Sequence, residues 1–438
     1  MRAGLLGVAV ALALADSSIV TLALPEILGD FDVQITTVAW TLTSFNLAFA
    51  VLALPAALVS RRGPRRSFAI GVVVFATASL ACGFAPTFAV LLGARCVQAA
   101  GAALLVTAAL DLLSSQTGSD AGAARIWVAA GVAGAALGPA LGGVLTELFG
   151  WQSIFLAQVP VALVTLVALR GVESRRVSAP IERPHLSANA AVFLLSGGLV
   201  AALFLLVLLL VNGWGMSPAR AGLVVTVMPV AAIVAARLAP RAGAPVMRMS
   251  AGVVLVAGGL VGLALLPRSA WEWTVPPQLL IGAGIGLALV ALTERAVRGK
   301  ADQVVHGGWT LAARHAGVVV GLLLLAPTLT TALDRNEHDA LRAGAAVVID
   351  SRIPPLDKLA VAKDVLAKVH EAGGRRLPDL RAVFAERPNS AEYRSLFAAL
   401  EEQLMGAVTN AFSKPFLIAA ALALLALVPV WIGRGEPL

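Results

Sequence analysis

The chain has 438 residues, of which 59% are hydrophobic and only 13% are charged, and its mean hydropathy is +0.87. Such a composition leaves too little polar surface to coat a soluble globule, so it excludes that class and predicts an integral membrane protein. The formal net charge of +8 does not call for a nucleic-acid partner, because the basic residues follow a membrane topology. The two cysteines, Cys82 and Cys96, lie in apolar runs without metal-ligand spacing, so no metal site is predicted.

Long apolar runs recur from one end of the chain to the other. They are continuous and lack the alternation of barrel strands, which favours helices as the spanning form. Each run can cross a hydrocarbon layer about 30 Å thick. About twelve spans are predicted in an all-α integral membrane protein: 3–24, 37–59, 67–86, 88–113, 124–147, 151–170, 187–211, 219–238, 248–267, 274–296, 303–332 and 414–433.

Basic residues are concentrated in alternate loops, which the positive-inside rule assigns to the cytoplasm. The protein is therefore predicted to be a multi-pass protein of the cell (inner) membrane with both termini cytoplasmic. The first loop of the opposite side carries Glu26, Asp30 and Asp32 instead. The basic loop residues are Arg61, Arg62, Arg65, Arg66, Arg170, Arg175, Arg176, Arg183, Arg237, Arg241, Arg248, Arg295, Arg298 and Lys300.

The stretch 131–143 combines small residues with a proline inside a predicted span. Gly134, Gly138 and Gly142 recur every four residues, so on a helix they form a stripe against which another backbone can pack closely. Pro139 removes one backbone hydrogen bond and bends the helix. The stretch therefore predicts a bent, close-packed membrane helix; an ordinary helix-packing motif has the same spacing.

Residues 333–413 break the apolar pattern by mixing acids and bases almost evenly, without a run long enough to span. The segment falls between the last two spans on the non-cytoplasmic side, which predicts a small helical extracytoplasmic insertion. Two amphipathic helices are expected, with apolar faces given by Leu356, Leu359, Leu366 and Val369 and by Tyr393, Leu396, Phe397, Leu400 and Leu404. The insertion is interpreted as a lid or a docking surface for an extracytoplasmic protein; a solvated spacer is the alternative.

A short internal repeat relates the two halves of the chain. The sequence 58–63 after the second span is echoed by 238–243 after the eighth, with matching Leu, Arg and Gly. Repeated halves are typical of secondary transporters, whose substrate site lies where the halves meet. The predicted parts are an N-terminal six-helix bundle at 1–170, a cytoplasmic linker at 171–186, the first five helices of the C-terminal bundle at 187–332, the insertion at 333–413, and the last span with a cytoplasmic tail at 414–438.

Five separated motifs resemble those of the drug:proton antiporters of the major facilitator superfamily, on the branch related to the fourteen-helix multidrug exporters. Together they cover roughly the N-terminal third to two-fifths of the chain. They are Asp16 to Pro25 in the first helix, Trp40 opening the second, Leu58 to Arg66 in the following loop, Arg95 to Gly101 in the fourth helix, and Gly131 to Gly143 in the fifth, followed by Trp151, Phe155 and Pro160.

The resemblance implies a gating role for part of these motifs. It implies a latch between the halves that uses the loop arginines, a loop acid and an acid at the inner end of the fourth helix. Here Ser60 stands in place of the loop acid, and Asp111 is the acid expected to pair with Arg61, Arg65 or Arg66. The expected gating residues are Arg61, Gly63, Arg65, Asp111, Gly131, Gly134, Gly138, Pro139, Gly142 and Gly143.

Two opposite charges lie deep within the predicted spans. An ionised side chain near the bilayer centre costs about 2.5–3.5 kcal/mol on insertion scales, so it is rarely idle. Asp16 and Arg95 share a depth, roughly 10–12 Å below the outer face at about 1.5 Å per residue, and are predicted to face each other. The hypothesis is that Asp16 exchanges its contact with Arg95 for a proton during transport; a permanent structural ion pair is the alternative.

Four other polar residues are candidates for lining a substrate cavity. Asn46 and Gln98 lie near mid-depth, although amides in membrane helices also serve as interhelical contacts. Arg314 and His315 fall near the middle of the eleventh span, and one of them is expected to face the cavity because neighbours point about 100° apart on a helix.

The resemblance and the buried charges together imply a proton-coupled secondary exporter of a hydrophobic or amphipathic, lipid-like small molecule. No motif supports catalysis, so no enzyme activity is expected, and no cofactor is needed besides the proton gradient. Protons, membrane lipids and the substrate are the expected partners of a monomer. The alternatives are an importer or facilitator of the same fold, and a non-transporting membrane scaffold that presents the outer domain.

Overall fold

The computed structural model describes residues 2–170, 181–239, 243–297, 300–372, 380–385, 387–388 and 390–435. Most of the predicted linker 171–186 lies outside this part, as do Arg175, Arg176, Arg241 and Arg298 of the basic loops. Within it the chain is helical and has no strand, and twelve helices are long and apolar enough to cross a membrane. The predicted all-α membrane fold with about twelve spans is thereby confirmed.

The spanning helices follow one another in chain order, apart from two short helices that precede the last one. The spanning helices are α1 (Arg2–Asp30), α2 (Ile35–Ser60), α3 (Pro64–Gly83), α4 (Phe88–Thr117), α5 (Asp120–Phe149), α6 (Gln152–Leu169), α7 (Leu186–Gly213), α8 (Pro218–Leu238), α9 (Pro245–Ala264), α10 (Trp271–Val297), α11 (Gln303–Asp350) and α14 (Ala391–Gly435). The short helices are α12 (Pro355–Ala372) and α13 (Leu380–Phe384).

Polar caps begin several helices that carry the site described below. The hydroxyl oxygens of Thr87, Ser119 and Ser217 accept hydrogen bonds from the first turns of α4, α5 and α8. The carboxylate of Asp302 accepts one from the Val305 backbone N–H at 3.1 Å and so begins α11. Such caps satisfy backbone donors that have no partner within the helix.

The helices form two bundles, α1–α6 and α7–α11 with α14. In the first bundle, α1 packs on α5 and α4 packs on α2 and α3; in the second, α10 packs on α8 and α9, and α7 packs on α11. The bundles meet along two lines, where α2 packs on α11 and α5 packs on α8. We call the end that holds Asp30 and Ser217 the outer end, and the end that holds Ser60 and Asp302 the inner end, following the predicted topology.

The segment 333–413 is continuous with the flanking spans. α11 runs for 48 residues to Asp350 and α14 begins at Ala391, so both helices project beyond the membrane. With α12 and α13 they enclose a small apolar core that includes Val348, Val361 and Tyr393. This helical cap matches the predicted helices but not both predicted faces.

Of the two apolar helix faces predicted for the cap, one is buried and the other is not. Leu396 and Leu400 on α14 are buried as predicted. On α12 the predicted apolar face is wrong, because Leu356 and Leu359 are 85% and 75% exposed, whereas Val361 is buried. The reason is that Val361, on the other side of α12, faces the apolar core shared with α11, α13 and α14.

Candidate functional site

The predicted glycine stripe lies on α5 and packs against α1. A Cβ atom added at Gly134 or Gly142 would overlap the backbone oxygen of Ala11 or Ile19, and one at Gly138 would overlap the Ser18 hydroxyl. These three positions therefore allow the close approach of two helices within the first bundle.

The outer end of α5 packs on the opposite bundle. A Cβ atom at Gly143 would overlap the carbonyl oxygen of Pro218 on α8. A Cβ atom at Gly222 would in turn lie 2.5 Å from the carbonyl oxygen of Pro139. We call this pair of backbone contacts, Gly143–Pro218 and Gly222–Pro139, the outer seal.

Asp16 on α1 and Arg95 on α4 form an ion pair in the middle of the first bundle. Arg95 Nη1 lies 2.5 Å from Asp16 Oδ2, and neither side chain has exposed surface. Arg95 Nε also donates to the backbone oxygen of Thr41 at 3.1 Å. The guanidinium carbon lies 4.3 Å from the centre of the Phe45 ring, an arrangement that adds a cation–π attraction.

Two glutamines complete this buried network. Gln98 accepts from Arg95 Nη1 at 2.6 Å and donates from Nε2 to Ser79 at 2.8 Å and to Gln158 Oε1 at 3.1 Å. Gln158 Nε2 in turn donates to Asp16 Oδ1 at 3.2 Å. Both carboxylate oxygens of Asp16 are therefore satisfied by partners from α4 and α6. A network with each charge paired is the condition for keeping charges in a low-dielectric interior.

A second polar contact joins the two bundles at mid-depth. His315 Nδ1 on α11 lies 2.7 Å from Asn46 Oδ1 on α2, and the His315 ring stacks on Phe49 with centroids 4.0 Å apart. Asn46 Nδ2 donates to the backbone oxygen of Leu42 at 2.8 Å, so its oxygen faces His315 and Nδ1 is the donor. Asn46 Nδ2 also lies 3.3 Å from Ser17 Oγ on α1, so this contact reaches the residue next to Asp16.

A cavity lies between the bundles, bounded by α1, α5, α7, α8, α10 and α11. Its wall is mainly apolar and includes Trp127, Leu199, Met228 and Leu289. The polar lining residues are Ser17, Ser18, Ser196, Thr293, Thr310 and Arg314. Apolar walls with a few polar groups are the usual composition of small-molecule sites.

The inner end holds an ion pair between the bundles. Arg61 Nε at the end of α2 lies 3.0 Å from Asp302 Oδ2 at the start of α11, and the Asp302 side chain is only 1% exposed. We call this pair the inner latch. Ser60 shares a hydrogen bond of 3.1 Å with Thr107 on α4, so the residue in place of the loop acid contacts its own bundle.

The family of this chain follows from its match to a family model. Residues 6–326 match the family model of the Major Facilitator Superfamily. The chain belongs to this superfamily. Its fold is also similar to that of solved transporters: a bacterial homologue of the human lysosomal transporter Spinster has a TM-score of 0.66 at 15% identity, with 100% of this chain and 98% of that chain covered. The nucleoside transporter NupG gives a TM-score of 0.62 at 8% identity, with 99% and 100% covered.

Sequence relatives within the Major Facilitator Superfamily carry names that refer to drug efflux and resistance. Multidrug resistance protein Stp of Mycobacterium tuberculosis is 40% identical over 163 residues, 36% of this chain and 30% of that protein. Drug efflux pump JefA of the same organism is 35% identical over 40% of this chain and 36% of its own length. The chain thus spans about a third of these relatives. The methylenomycin A resistance protein of Streptomyces coelicolor is 27% identical over 75% of this chain and 86% of its own length.

In this superfamily member, one of the predicted cavity residues lines the cavity and the other three lie outside its wall. Arg314 lines the cavity, whereas His315 does not, in keeping with the expected divergence of neighbouring side chains. Asn46 and Gln98 are not among the lining residues, because Asn46 faces His315 and Gln98 faces the Asp16–Arg95 pair. Gly131 and Pro139 line the cavity in addition to their packing contacts.

The predicted latch is arranged differently from the expectation. Arg61 forms an ion pair with Asp302 of the other bundle, whereas the expectation was a pair with Asp111. Asp111 is buried, and its Oδ2 accepts no hydrogen bond from any described residue. Arg65 is exposed, and a Cβ atom at Gly63 would meet nothing within 4 Å. With Ser60 in the loop, the acid that meets Arg61 comes from the cap of α11.

Gln158, Ser79 and Asp302 are among the residues of the site that were not predicted. Gln158 and Ser79 are uncharged polar residues within apolar runs, which gives no period or spacing to detect. Asp302 lies one residue outside the predicted eleventh span. Its only sequence signal is the helix-capping position before an apolar run, which predicts a helix start and no partner.

Proposed function

We propose that this protein is a proton-coupled exporter of hydrophobic or amphipathic small molecules. It works by alternating access as a monomer, with both termini in the cytoplasm and the proton gradient as its only energy source. The observation that carries the proposal is the fully buried Asp16–Arg95 pair, which adjoins the cavity through Ser17. The names of the drug efflux relatives support the outward direction.

The proton acts on the Asp16 carboxylate. When a proton from the outer side binds Asp16, the carboxylate loses its charge and with it the attraction to Arg95. Arg95 then keeps its contacts with Gln98 and with the Thr41 carbonyl oxygen, so the two helices α1 and α4 are less firmly held together. When the protein faces the cytoplasm, the proton leaves and the ion pair forms again. Each return to this pair thus carries one proton inward.

The two ends of the cavity are controlled by different chemistry. The outer seal is a backbone contact that depends on the absence of side chains at Gly143 and Gly222. The inner latch is a charge pair, Arg61–Asp302. Outward release requires the outer seal to part while the inner latch holds, and cytoplasmic loading requires the reverse.

Flux in proteoliposomes tests this proposal. Vesicles are loaded with neutral, anionic and cationic fluorescent amphipaths, and an acidic external pH imposes an inward proton gradient. We expect faster exit of at least one dye and simultaneous entry of protons, reported by a pH-sensitive dye inside. Protein-free vesicles and a protonophore are the controls. A rate of dye exit that is the same with and without the gradient would indicate a facilitator. Dye uptake driven by the gradient would indicate an importer. Either result would overturn the proposal.

A further inference from the structure

Arg314 is the one charged residue among the described residues that line the cavity. The other polar lining groups are hydroxyls, and no Asp or Glu is on this wall. Within the described part of the chain, Arg314 has no ion pair or hydrogen bond. This contrasts with Arg95, whose charge is matched by Asp16, and with Arg61, whose charge is matched by Asp302.

The helix that carries Arg314 cannot easily turn it away from the cavity. Gly317, one turn further along α11, packs on the backbone oxygen of Phe193 of α7, and Gly321 packs on that of Gly197. On the next residue of α11, His315 is held by Asn46. Contacts on these two sides fix the rotation of α11, so Arg314 stays directed into the space between the bundles.

A second group on the same wall also lacks a partner. Ser196 on α7 lines the cavity, is 2% exposed, and its hydroxyl makes no hydrogen bond with any described residue. Ser196 is next to Gly197, which contacts Gly317, so Ser196 lies on the packed pair of α7 and α11 that also carries Arg314. A cationic fork and a free hydroxyl donor on one cavity wall are suited to the oxygens of a carboxylate, sulfonate or phosphate.

We propose, on the basis of the exporter function above, that the cavity binds amphipathic organic anions, with the anionic group on Arg314 and Ser196 and the apolar part on the wall formed by Trp127, Met228 and Leu289. Arg314 is partly buried, and a partly desolvated guanidinium without a counter-ion among the described residues costs free energy that an anionic ligand recovers. A cationic amphipath would meet the charge of Arg314 without any carboxylate among the described lining residues, and Asp16, next to the lining residue Ser17, is held by Arg95 and Gln158.

The test compares two dyes that share one apolar skeleton. 8-Anilinonaphthalene-1-sulfonate carries a sulfonate, and N-phenyl-1-naphthylamine lacks it. Binding to the purified full chain in detergent is followed by energy transfer from tryptophan. We expect the wild-type protein to bind the sulfonate dye more tightly, and Arg314→Gln to weaken it by about 10-fold or more, as for a lost charge-assisted hydrogen bond. The neutral dye should change by less than about 3-fold, which also shows that the variant is folded.

Further variants assign the effect to the cavity. Arg237→Gln removes an exposed arginine of α8 that does not line the cavity and should leave both affinities unchanged. Arg314→Lys keeps the charge but loses the fork, so it should retain part of the preference even if Arg314→Gln fails to fold. Trp127→Phe removes a tryptophan donor from the cavity wall and should reduce the energy transfer to the bound dye. Displacement of the sulfonate dye by phosphatidylglycerol identifies a lipid source of the anion, and displacement by 2-naphthoate a small acid.

Two results would overturn this inference: equal losses for both dyes in Arg314→Gln and Arg314→Lys, or a wild-type preference for a cationic dye such as ethidium. Neither depends on transport. Gradient-driven export of cations alone would leave the exporter function intact and refute the anion site. A sulfonate preference without gradient-driven flux would support the anion site and refute the exporter.

Discussion

At the scale of single residues, the charged side chains within the bundles are of two kinds. Asp16 and Arg95 are matched, buried and hydrogen-bonded with Gln98 and Gln158, whereas Arg314 faces an apolar cavity without an ion-pair partner among the described residues. The first arrangement is stable until a proton removes one charge. The second, in our proposal, is completed by an anionic ligand. Under the proposed function, coupling and recognition therefore depend on different residues.

Asp16→Asn keeps the shape of the side chain but cannot take up and release a proton. We expect gradient-driven export to be lost, with at least a 10-fold decrease in flux, while dye binding in detergent stays within about 3-fold because the cavity wall is unchanged. The measurement is flux against binding for the same preparation. Asp120→Asn, at an exposed position at the start of α5, is the matched control and should retain full coupling. Full coupling in Asp16→Asn would show that the ion pair is purely structural.

At the scale of helices, closure of the two cavity ends depends on α5 and α11. The outer seal joins α5 to α8 and the inner latch joins α2 to α11. Thr293 lines the cavity and is replaced by cysteine in a chain without Cys82 and Cys96. The rate at which this cysteine reacts with a membrane-impermeant maleimide measures how open the cavity is to each side of the membrane. Loss of one contact should raise labelling from that side only.

Gly143→Val inserts a side chain into the outer seal. Because a Cβ atom there would overlap the Pro218 carbonyl oxygen, we expect the outer ends of α5 and α8 to separate and outside labelling of the reporter at 293 to increase several-fold. Gly258→Val on α9, where a Cβ atom meets nothing within 4 Å, is the matched control. Unchanged labelling would mean that the contact does not close the cavity. The stripe at Gly134, Gly138 and Gly142 packs within one bundle, so valines there should impair folding.

Asp302→Asn removes the charge of the inner latch but keeps an oxygen that can cap α11. A partly buried ion pair of this kind contributes about 1–2 kcal/mol, so the inner end should open about 5- to 30-fold more often. Labelling of the reporter in inside-out vesicles should increase accordingly. Glu182→Gln breaks the partly exposed pair with Lys300, in which the charged atoms are 3.7 Å apart, and should have no effect. An equal effect of both variants would assign the change to general surface charge.

At the scale of the whole molecule, the two bundles are expected to move as rigid bodies. Cysteines at Ala57 and Gly308 would cross-link the bundles at the inner end, where a Cβ atom at 308 lies 2.7 Å from that of Ala57. Oxidation should stop export and reduction should restore it. The pair Ala288 and Gly252, with the same 2.7 Å separation but within the second bundle, should cross-link without stopping export. Export that survives the first cross-link would refute rocking of the bundles.

Much of this architecture could be predicted because membrane insertion imposes simple constraints. The apolar runs predicted the spans, and the shared depth of Asp16 and Arg95 predicted their ion pair. Rotation about the helix axis could not be predicted: the sequence does not tell that Arg314 and not His315 lines the cavity, or that Leu356 on α12 is exposed. The length of α11 was also missed, because a change from apolar to charged residues ends a membrane span without ending a helix.

The uninterrupted course of α11 has a mechanical consequence. Its 48 residues extend over about 72 Å of helix at 1.5 Å per residue, with Asp302 at one tip, Arg314 a quarter of the way along, and Asp350 at the other tip. A tilt of about 5° around the inner tip displaces the far tip by about 6 Å, as follows from the helical rise. The cap therefore magnifies motions at the inner end into displacements large enough for a fluorophore on α12 to follow, outside the bilayer and without touching the cavity.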